Sequence, residues 1–146
     1  MAIISEEIVI NVPVSDVFEF VAETPRLVEV WPSLTAIKDW ERDESGLCEF
    51  IFEYQVVGFK FKGKNRDIEF VPNKKIVTES GGGMEALLTW DFEEHPRGAL
   101  VRFTGDYKIE IPLIGKVVSE RVAMLNGLEV GALLKNLKTK LENEQV

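Results

Sequence analysis

The chain has 146 residues and a formal net charge of −8, with 45% hydrophobic and 29% charged residues. This acidic balance argues against a nucleic-acid partner, which needs a basic face, and against attachment to anionic membranes by bulk charge. The length predicts one domain, residues 1–146, which is large enough to bury a stable core without disulfide bonds or structural metal ions. Cys48 is the single cysteine, so neither an intrachain disulfide nor a cysteine-based zinc site is expected.

The amino-terminal residues do not have the pattern of a secretory signal, because acidic residues stand where a signal is basic. No stretch of the sequence approaches 18 apolar residues, so insertion into a membrane is not expected. The sequence therefore predicts a cytoplasmic protein.

The first two thirds of the chain predict strands and two short helices. Residues 3–12 alternate between apolar and polar positions and predict a first strand. Two short helices follow, the first capped by Ser15 or Asp16 and the second opened by Pro25. From Leu34 the hydrophobic period changes to two, which predicts six further strands. These strands cover residues 34–41, 47–56, 59–71, 74–80, 84–94 and 99–111.

The last third of the chain predicts one long helix. No proline follows Pro112, and apolar residues recur at helical spacing as far as Leu141. Short loops between consecutive strands make neighbouring strands antiparallel, and only this helix is large enough to cover the apolar face of their sheet. The sequence therefore predicts an α+β fold, a curved seven-stranded antiparallel sheet wrapped around a long carboxy-terminal helix, with space left between them.

Alternation along three of the predicted strands assigns aromatic side chains to the inner face of the sheet. Each of them alone is typical of a core residue, but together they match the mostly apolar lining of small-molecule pockets. Those with a polar atom also need a hydrogen-bond partner when buried. The inward aromatic residues are Phe50, Phe52, Tyr54, Trp90, Phe103 and Tyr107.

The strand 59–71 departs from simple alternation. Near its end, Ile68 and Phe70 fall on the same side of the strand as the lysines that precede them. A β-bulge near Gly63 or Asn65 would restore the pattern. If the face of Phe61 continues inward, Asn65 and also Asp67 project into the space and can hold a ligand carbonyl or hydroxyl. The alternative is a solvated strand end.

Few residues suggest catalysis or metal binding. His95 is the only histidine and lies in a predicted hairpin turn, so no nucleophilic triad can be assembled. Arg121 falls within the apolar stripe of the long helix, where it either extends to the rim or anchors an anionic ligand group. No metal and no cofactor are expected.

Four local motifs accompany this order of elements. They are residues 13–18 entering the first helix, Trp31-Pro32 after the second, residues 90–93 before a hairpin, and residues 111–115 before the long helix. Over essentially the whole chain, this pattern resembles the START-like superfamily, also called SRPBCC, and within it the polyketide cyclase/dehydrase-like group. The resemblance implies the helix-grip fold and a family that includes lipid and sterol carriers, aromatic cyclases and a chaperone activator.

The sequence and the resemblance together favour binding of a small, largely apolar molecule, such as a lipid or a polyketide-like or aromatic compound, between sheet and helix. One alternative, implied by the resemblance, is a polyketide cyclase/dehydratase-type enzyme acting in the same cavity; another is a protein-interaction module. The predicted ligand-binding residues are Trp31, Phe50, Phe52, Tyr54, Phe61, Asn65, Trp90, Phe103, Tyr107, Arg121, Met124 and Leu125.

Overall fold

The computed structural model describes residues 2–56, 58–81, 85–108 and 116–144, and gives the backbone alone for residues 2, 56, 59, 107, 108 and 116–128. The order of elements confirms the predicted one: a strand, two short helices, six strands and a long helix. The elements are β1 (Ala2–Ile10), α1 (Val14–Ala22), a 3₁₀ helix (Thr24–Glu29), β2 (Leu34–Arg42), β3 (Cys48–Val56), β4 (Phe59–Val71), β5 (Lys75–Gly81), β6 (Glu85–His95), β7 (Gly98–Lys108) and α2 (Lys116–Glu144).

The seven strands form one curved antiparallel sheet in the order β1-β7-β6-β5-β4-β3-β2. Six of them follow the chain as a meander, because short turns join consecutive antiparallel strands. The exception is β1, which pairs with β7, so that Ile10 lies opposite Ala99. The predicted fold class is therefore confirmed.

The carboxy-terminal half of α2 is held to the rest of the molecule by an apolar stripe and by polar contacts at its edges. Asn136 Nδ2 donates a hydrogen bond to the carbonyl of Val30 at 3.0 Å, and Lys138 Nζ donates to the carbonyl of Val9 at 3.0 Å. Within the described part of the chain, no helix is long and apolar enough to cross a lipid bilayer. The buried side chains of the stripe recur at helical spacing: Val130, Leu133, Leu134, Leu137 and Leu141.

The start of α1 differs from the prediction. Pro13 stands at the N-cap position, with no side-chain cap, so Ser15 and Asp16 lie in the first turn instead of capping it. The physical reason is that Pro13, at φ −57° and ψ 146°, turns the extended chain directly into the helix. Its carbonyl accepts the backbone N–H of Asp16 at 3.0 Å.

The irregularity in β4 lies later than the sequence predicts. Pairing with β3 is regular through Gly63 and Asn65, so the predicted bulge near these residues is wrong. Pairing with β5 shifts after Asp67, and Ile68 is exposed. The shift at this point returns Phe70 to the side of the core, and the uninterrupted alternation before it keeps both Asn65 and Asp67 on the inner face.

Gly63 allows β4 to pass close to the neighbouring strands. A Cβ atom at this position would collide with the backbone carbonyl of Gly81 and would lie 2.6 Å from the ring of Phe52. Because a backbone carbonyl in a paired strand cannot move aside cheaply, Gly63 is required for the present course of both strands.

We expect Gly63→Ala to lower the free energy of unfolding by about 1–3 kcal/mol, the usual cost of overpacking a well-packed site. The measurement is urea denaturation followed by tryptophan fluorescence. Gly81→Ala is the matched control, since a Cβ there would meet nothing within 4 Å, and it should change stability by less than about 0.5 kcal/mol. Equal unfolding midpoints for the two variants would contradict the close approach.

Candidate functional site

A cavity of about 70 Å³ lies between the inner face of the sheet, α1, the 3₁₀ helix and the segment that follows it. A single water molecule needs about 10–15 Å³ on such a scale, so the cavity has room for several water-sized groups. Most of its described lining is apolar, with a few polar side chains concentrated on β4 and β5. This combination is typical of small-molecule sites.

Six of the predicted ligand-binding residues line this cavity: Trp31, Phe50, Phe52, Tyr54, Asn65 and Trp90. All except Trp31 are buried, and Trp31 is partly buried. Period-two alternation explains why residues of β3, β4 and β6 reach the same space, since alternate side chains of each strand point to one face. Their assignment as ligand contacts stays a prediction.

Two of the predicted residues lie elsewhere in the fold. Phe103 is fully buried behind the cavity wall, where its ring centroid lies 4.9 Å from that of Trp90 and 5.5 Å from that of Trp31. It therefore supports two lining rings and does not itself line the cavity. Phe61 is partly buried and packs against the core without lining the cavity.

The side chains of four other predicted residues lie outside the described residues. They are Tyr107, whose backbone pairs with Ala86 in β6, and Arg121, Met124 and Leu125 of α2.

One end of the cavity holds a buried carboxylate with three side-chain partners. Asp67 is 3% exposed, and its Oδ1 accepts a hydrogen bond from the Thr78 hydroxyl at 2.7 Å. Its Oδ2 accepts from the Cys48 thiol at 3.0 Å and lies 3.3 Å from Nη1 of Arg42. Because a buried charge is tolerated only when it is paired and hydrogen-bonded, these partners explain how Asp67 can stand in an apolar cavity.

The guanidinium of Arg42 has further partners besides Asp67. It donates hydrogen bonds to the backbone carbonyls of Ala22 and Gly46, and it lies over the ring of Phe70, 4.4 Å from the ring centroid. Arg42 and Asp67 therefore neutralise each other, and three of the five N–H donors of Arg42 are directed at protein acceptors.

A second polar group ties α2 to the opposite side of the cavity. The hydroxyl of Tyr54 donates to Glu129 Oε2 at 2.8 Å. The same carboxylate accepts from the backbone N–H of Ser33 at 2.7 Å and from its hydroxyl at 2.6 Å. One glutamate of α2 thus joins β3 to the segment that precedes β2.

Several lining residues are absent from the set that the sequence predicts, and only some of them lie beyond the signal of alternation. Leu34, Ile37 and Arg42 of β2 all line the cavity, although their spacing does not fit alternation. The cause is two register shifts in the pairing of β2 with β3, which reset the parity of the strand. By contrast, Thr78 and Ser80 follow plain alternation in β5, and that signal was sufficient to find them.

Comparison with known proteins identifies similarity over the whole chain. A family model described as polyketide cyclase / dehydrase and lipid transport matches residues 1–142. A comparison with curated proteins gives no match.

Solved structures with the same fold have low sequence identity to this chain. The Thermus thermophilus protein TTHA0849 has a TM-score of 0.86 at 19% identity, covering 99% of this chain and 100% of that chain. The ZhuI aromatase/cyclase of Streptomyces sp. R1128 has a TM-score of 0.81 at 12% identity, covering 99% and 96%. A START superfamily protein from Mycobacterium smegmatis has a TM-score of 0.77 at 14% identity, covering 97% of each chain. This chain also spans about half the length of two di-domain ARO/CYC proteins.

We expect Asp67→Asn to lower the free energy of unfolding by about 3 kcal/mol, because it leaves the guanidinium of Arg42 partly buried without its carboxylate. The measurement is urea denaturation at neutral pH. Glu49→Gln is the control: it removes the exposed ion pair with Lys64, 3.3 Å long, and should cost less than about 1 kcal/mol. A similar, small loss of unfolding free energy in both variants would show that the buried pair matters no more to stability than the exposed one.

The thiol of Cys48 provides a pH-dependent test of the same cluster. Burial, reinforced by the hydrogen bond and the negative charge of Asp67, raises the pKa of the thiol from 9.0 to about 12. Between these two pH values the unfolded chain releases a proton that the folded chain retains. The contribution of Cys48 to stability is therefore complete below pH 9 and declines above it, by at most about 1.4 kcal/mol per pH unit.

Urea midpoints measured from pH 8 to about 10.5 should accordingly fall more steeply for the wild type than for Cys48→Ala. The comparison with Cys48→Ala removes the contribution of lysine and tyrosine titration, which both proteins share. Parallel pH profiles would contradict the raised pKa of the thiol.

Proposed function

This chain belongs to the polyketide cyclase/dehydrase and lipid transport family, and from that membership we propose that residues 1–146 form one ligand-binding domain. Its ligand is a small, largely apolar molecule, of lipid, polyketide-like or aromatic type, held in the cavity between the sheet, α1 and the 3₁₀ helix, beside the point where Glu129 of α2 meets Tyr54. The observation that carries the proposal is the cavity, which is lined mainly by aromatic and aliphatic side chains around a few convergent polar groups.

The apolar wall supplies most of the binding free energy. Trp31, Phe50, Phe52 and Trp90 present aromatic surface to the cavity, and each square ångström of apolar surface removed from water contributes about 25 cal/mol. A ligand that fills the space also restores dispersion contacts that an empty cavity lacks. Polar wall groups then contribute orientation more than affinity.

The contacts of Glu129 support enclosure of the ligand by α2. Because Tyr54 and Ser33 both donate to this one carboxylate, the helix, β3 and the segment before β2 meet at one point beside the cavity.

A second candidate is an enzyme of the cyclase/dehydratase type. The observation that favours it is the Tyr54 hydroxyl, which lines the cavity and is hydrogen-bonded to a carboxylate at 2.8 Å. A phenol in this arrangement can exchange a proton with a bound substrate, while the cavity holds a flexible substrate in a reactive shape. Mass analysis of a bound polyketide-like compound before and after incubation separates the two candidates, because a carrier returns it unchanged.

We expect Ala86→Phe to abolish binding of N-phenyl-1-naphthylamine, an uncharged dye whose fluorescence rises in apolar surroundings. Ala86 lines the cavity, so the larger side chain grows into the space that a ligand would use. The measurement is a fluorescence titration of freshly purified, delipidated protein, and a loss of at least tenfold in affinity is expected.

The matched control is Leu87→Phe, one residue further along β6. Leu87 is 42% exposed and points to the opposite face, so this variant should bind the dye like the wild type. Circular dichroism establishes that both variants are folded. Equal dye binding by the two variants would refute the assignment of this cavity as the binding site.

A further inference from the structure

The side chain of Asn65 is the most unusual polar group of the cavity wall. It is 8% exposed, it lines the cavity, and its Oδ1 has no hydrogen-bond partner among the described residues. In the β4–β5 register it stands opposite Ser80, another lining residue. Leaving a buried acceptor unpaired costs about 1–3 kcal/mol of free energy. A ligand that donates a hydrogen bond to Oδ1 would remove this cost.

A second orphaned atom belongs to the same cavity. Nε1 of Trp31 is buried and has no acceptor among the described residues, and Trp31 lines the cavity as well. The wall thus offers one unused acceptor and one unused donor. Buried polar atoms are almost always paired in folded proteins, and among the described residues a third unpaired atom, Nε1 of Trp40, belongs to a residue that does not line the cavity. The case for a ligand therefore rests on the other two unpaired atoms, which belong to residues that line one and the same cavity.

The charged groups of the described wall are, in contrast, already matched. Asp67 is paired with Arg42 and accepts from Thr78 and Cys48, while Arg42 also donates to two backbone carbonyls. A ligand carboxylate placed beside them would meet Asp67 and would find no unoccupied cation in this part of the wall. An ionised group would therefore have to leave water without compensation.

We infer that the cavity selects an uncharged ligand carrying a hydroxyl group, which binds the amide of Asn65. This inference rests on the proposed function and specifies the chemical class of its ligand. A hydroxyl both donates and accepts, so it satisfies the amide whichever way the amide is turned. A carboxylate only accepts, so it can pair with the amide through Nδ2 alone and leaves Oδ1 without a donor. The orphaned Nε1 of Trp31 donates to a further oxygen of the same ligand, such as a carbonyl.

The test compares three probes of similar size as competitors of N-phenyl-1-naphthylamine at pH 7. They are 2-naphthol, 2-methylnaphthalene, which replaces the hydroxyl by a methyl group, and 2-naphthoate, which carries a negative charge. In the wild type we expect 2-naphthol to bind at least as tightly as 2-methylnaphthalene in spite of its smaller apolar surface. We expect 2-naphthoate to bind at least tenfold more weakly than 2-naphthol.

The variant Asn65→Leu then measures how much the side-chain amide contributes to binding of the hydroxyl group. It removes the polar atoms with little change in volume, so the affinity ratio of 2-naphthol to 2-methylnaphthalene should fall about tenfold, as expected for one hydrogen bond. Leu88→Ile is the control, because it alters the same cavity without removing a polar atom and should retain the wild-type ratio.

The outcomes separate the inference from the proposed function. If the two neutral probes bind but their ratio is the same in the wild type and in Asn65→Leu, the role of Asn65 is refuted and the binding function stands. If 2-naphthoate binds as tightly as 2-naphthol, the selection of uncharged ligands is refuted. If neither neutral probe displaces the dye, the proposed binding function fails and the inference fails with it. The three wild-type affinities test charge selection even if Asn65→Leu does not fold.

Discussion

The ion pair between Arg42 and Asp67 is the interaction on which the polar half of the cavity depends. Through its hydrogen bonds it joins the end of α1 at Ala22, the β2–β3 turn at Gly46 and β5 at Thr78. Several separate parts of the chain therefore converge on one pair of opposite charges. A buried pair of this kind contributes little net stability compared with apolar residues of equal size, but it strongly penalises any arrangement in which one partner is missing. It favours a unique arrangement of these segments.

The neutrality of this pair also shapes what the cavity can recognise. Each of the two charged groups is paired within the protein. The pair therefore adds polar atoms to the wall but no net charge that would attract an ion. The groups of the described wall left unsatisfied are polar but uncharged, an amide oxygen at Asn65 and an indole N–H at Trp31. Under the ligand-binding function that we propose, such a wall would orient a ligand by single hydrogen bonds, and the aromatic surface around them would supply the affinity.

The fold could be predicted from the sequence because most strands keep strict alternation. In β3, for example, Phe50, Phe52 and Tyr54 are buried as their parity predicts. Prediction failed where backbone irregularities change the parity. Two shifts in β2 bring Arg42 to the cavity, which the sequence does not predict. In β4 the inward direction of Asn65 and Asp67 is one of the two alternatives that the sequence predicts, and only the position of the shift, after Asp67, differs from the prediction. Such shifts depend on packing between strands, for which the local sequence carries only a weak signal.

The contact of Glu129 was beyond sequence reasoning for a different reason. Its position on the long helix identifies it as a polar residue beside an apolar stripe, and nothing in the local pattern indicates that it meets Ser33 and Tyr54. That meeting depends on the distance between α2 and β3, which is a property of the whole fold. Function, likewise, depends on side chains that the fold collects and not on the fold itself.

The pairing of the first strand with the last has a consequence for biosynthesis. Because Ile10 lies opposite Ala99, β1 leaves the ribosome early and has no partner until β7 has also emerged. At roughly 5–20 residues per second, the strand waits on the order of ten seconds. Throughout that interval the edge of β1 is free to pair with other chains and to aggregate. The polar residues Ser5, Glu6 and Glu7 reduce this risk. The meander of the other strands can form during the wait, and β7 and α2, which are made later, then complete the sheet and cover it. The sheet that carries the cavity wall is therefore complete only after β7 has been made.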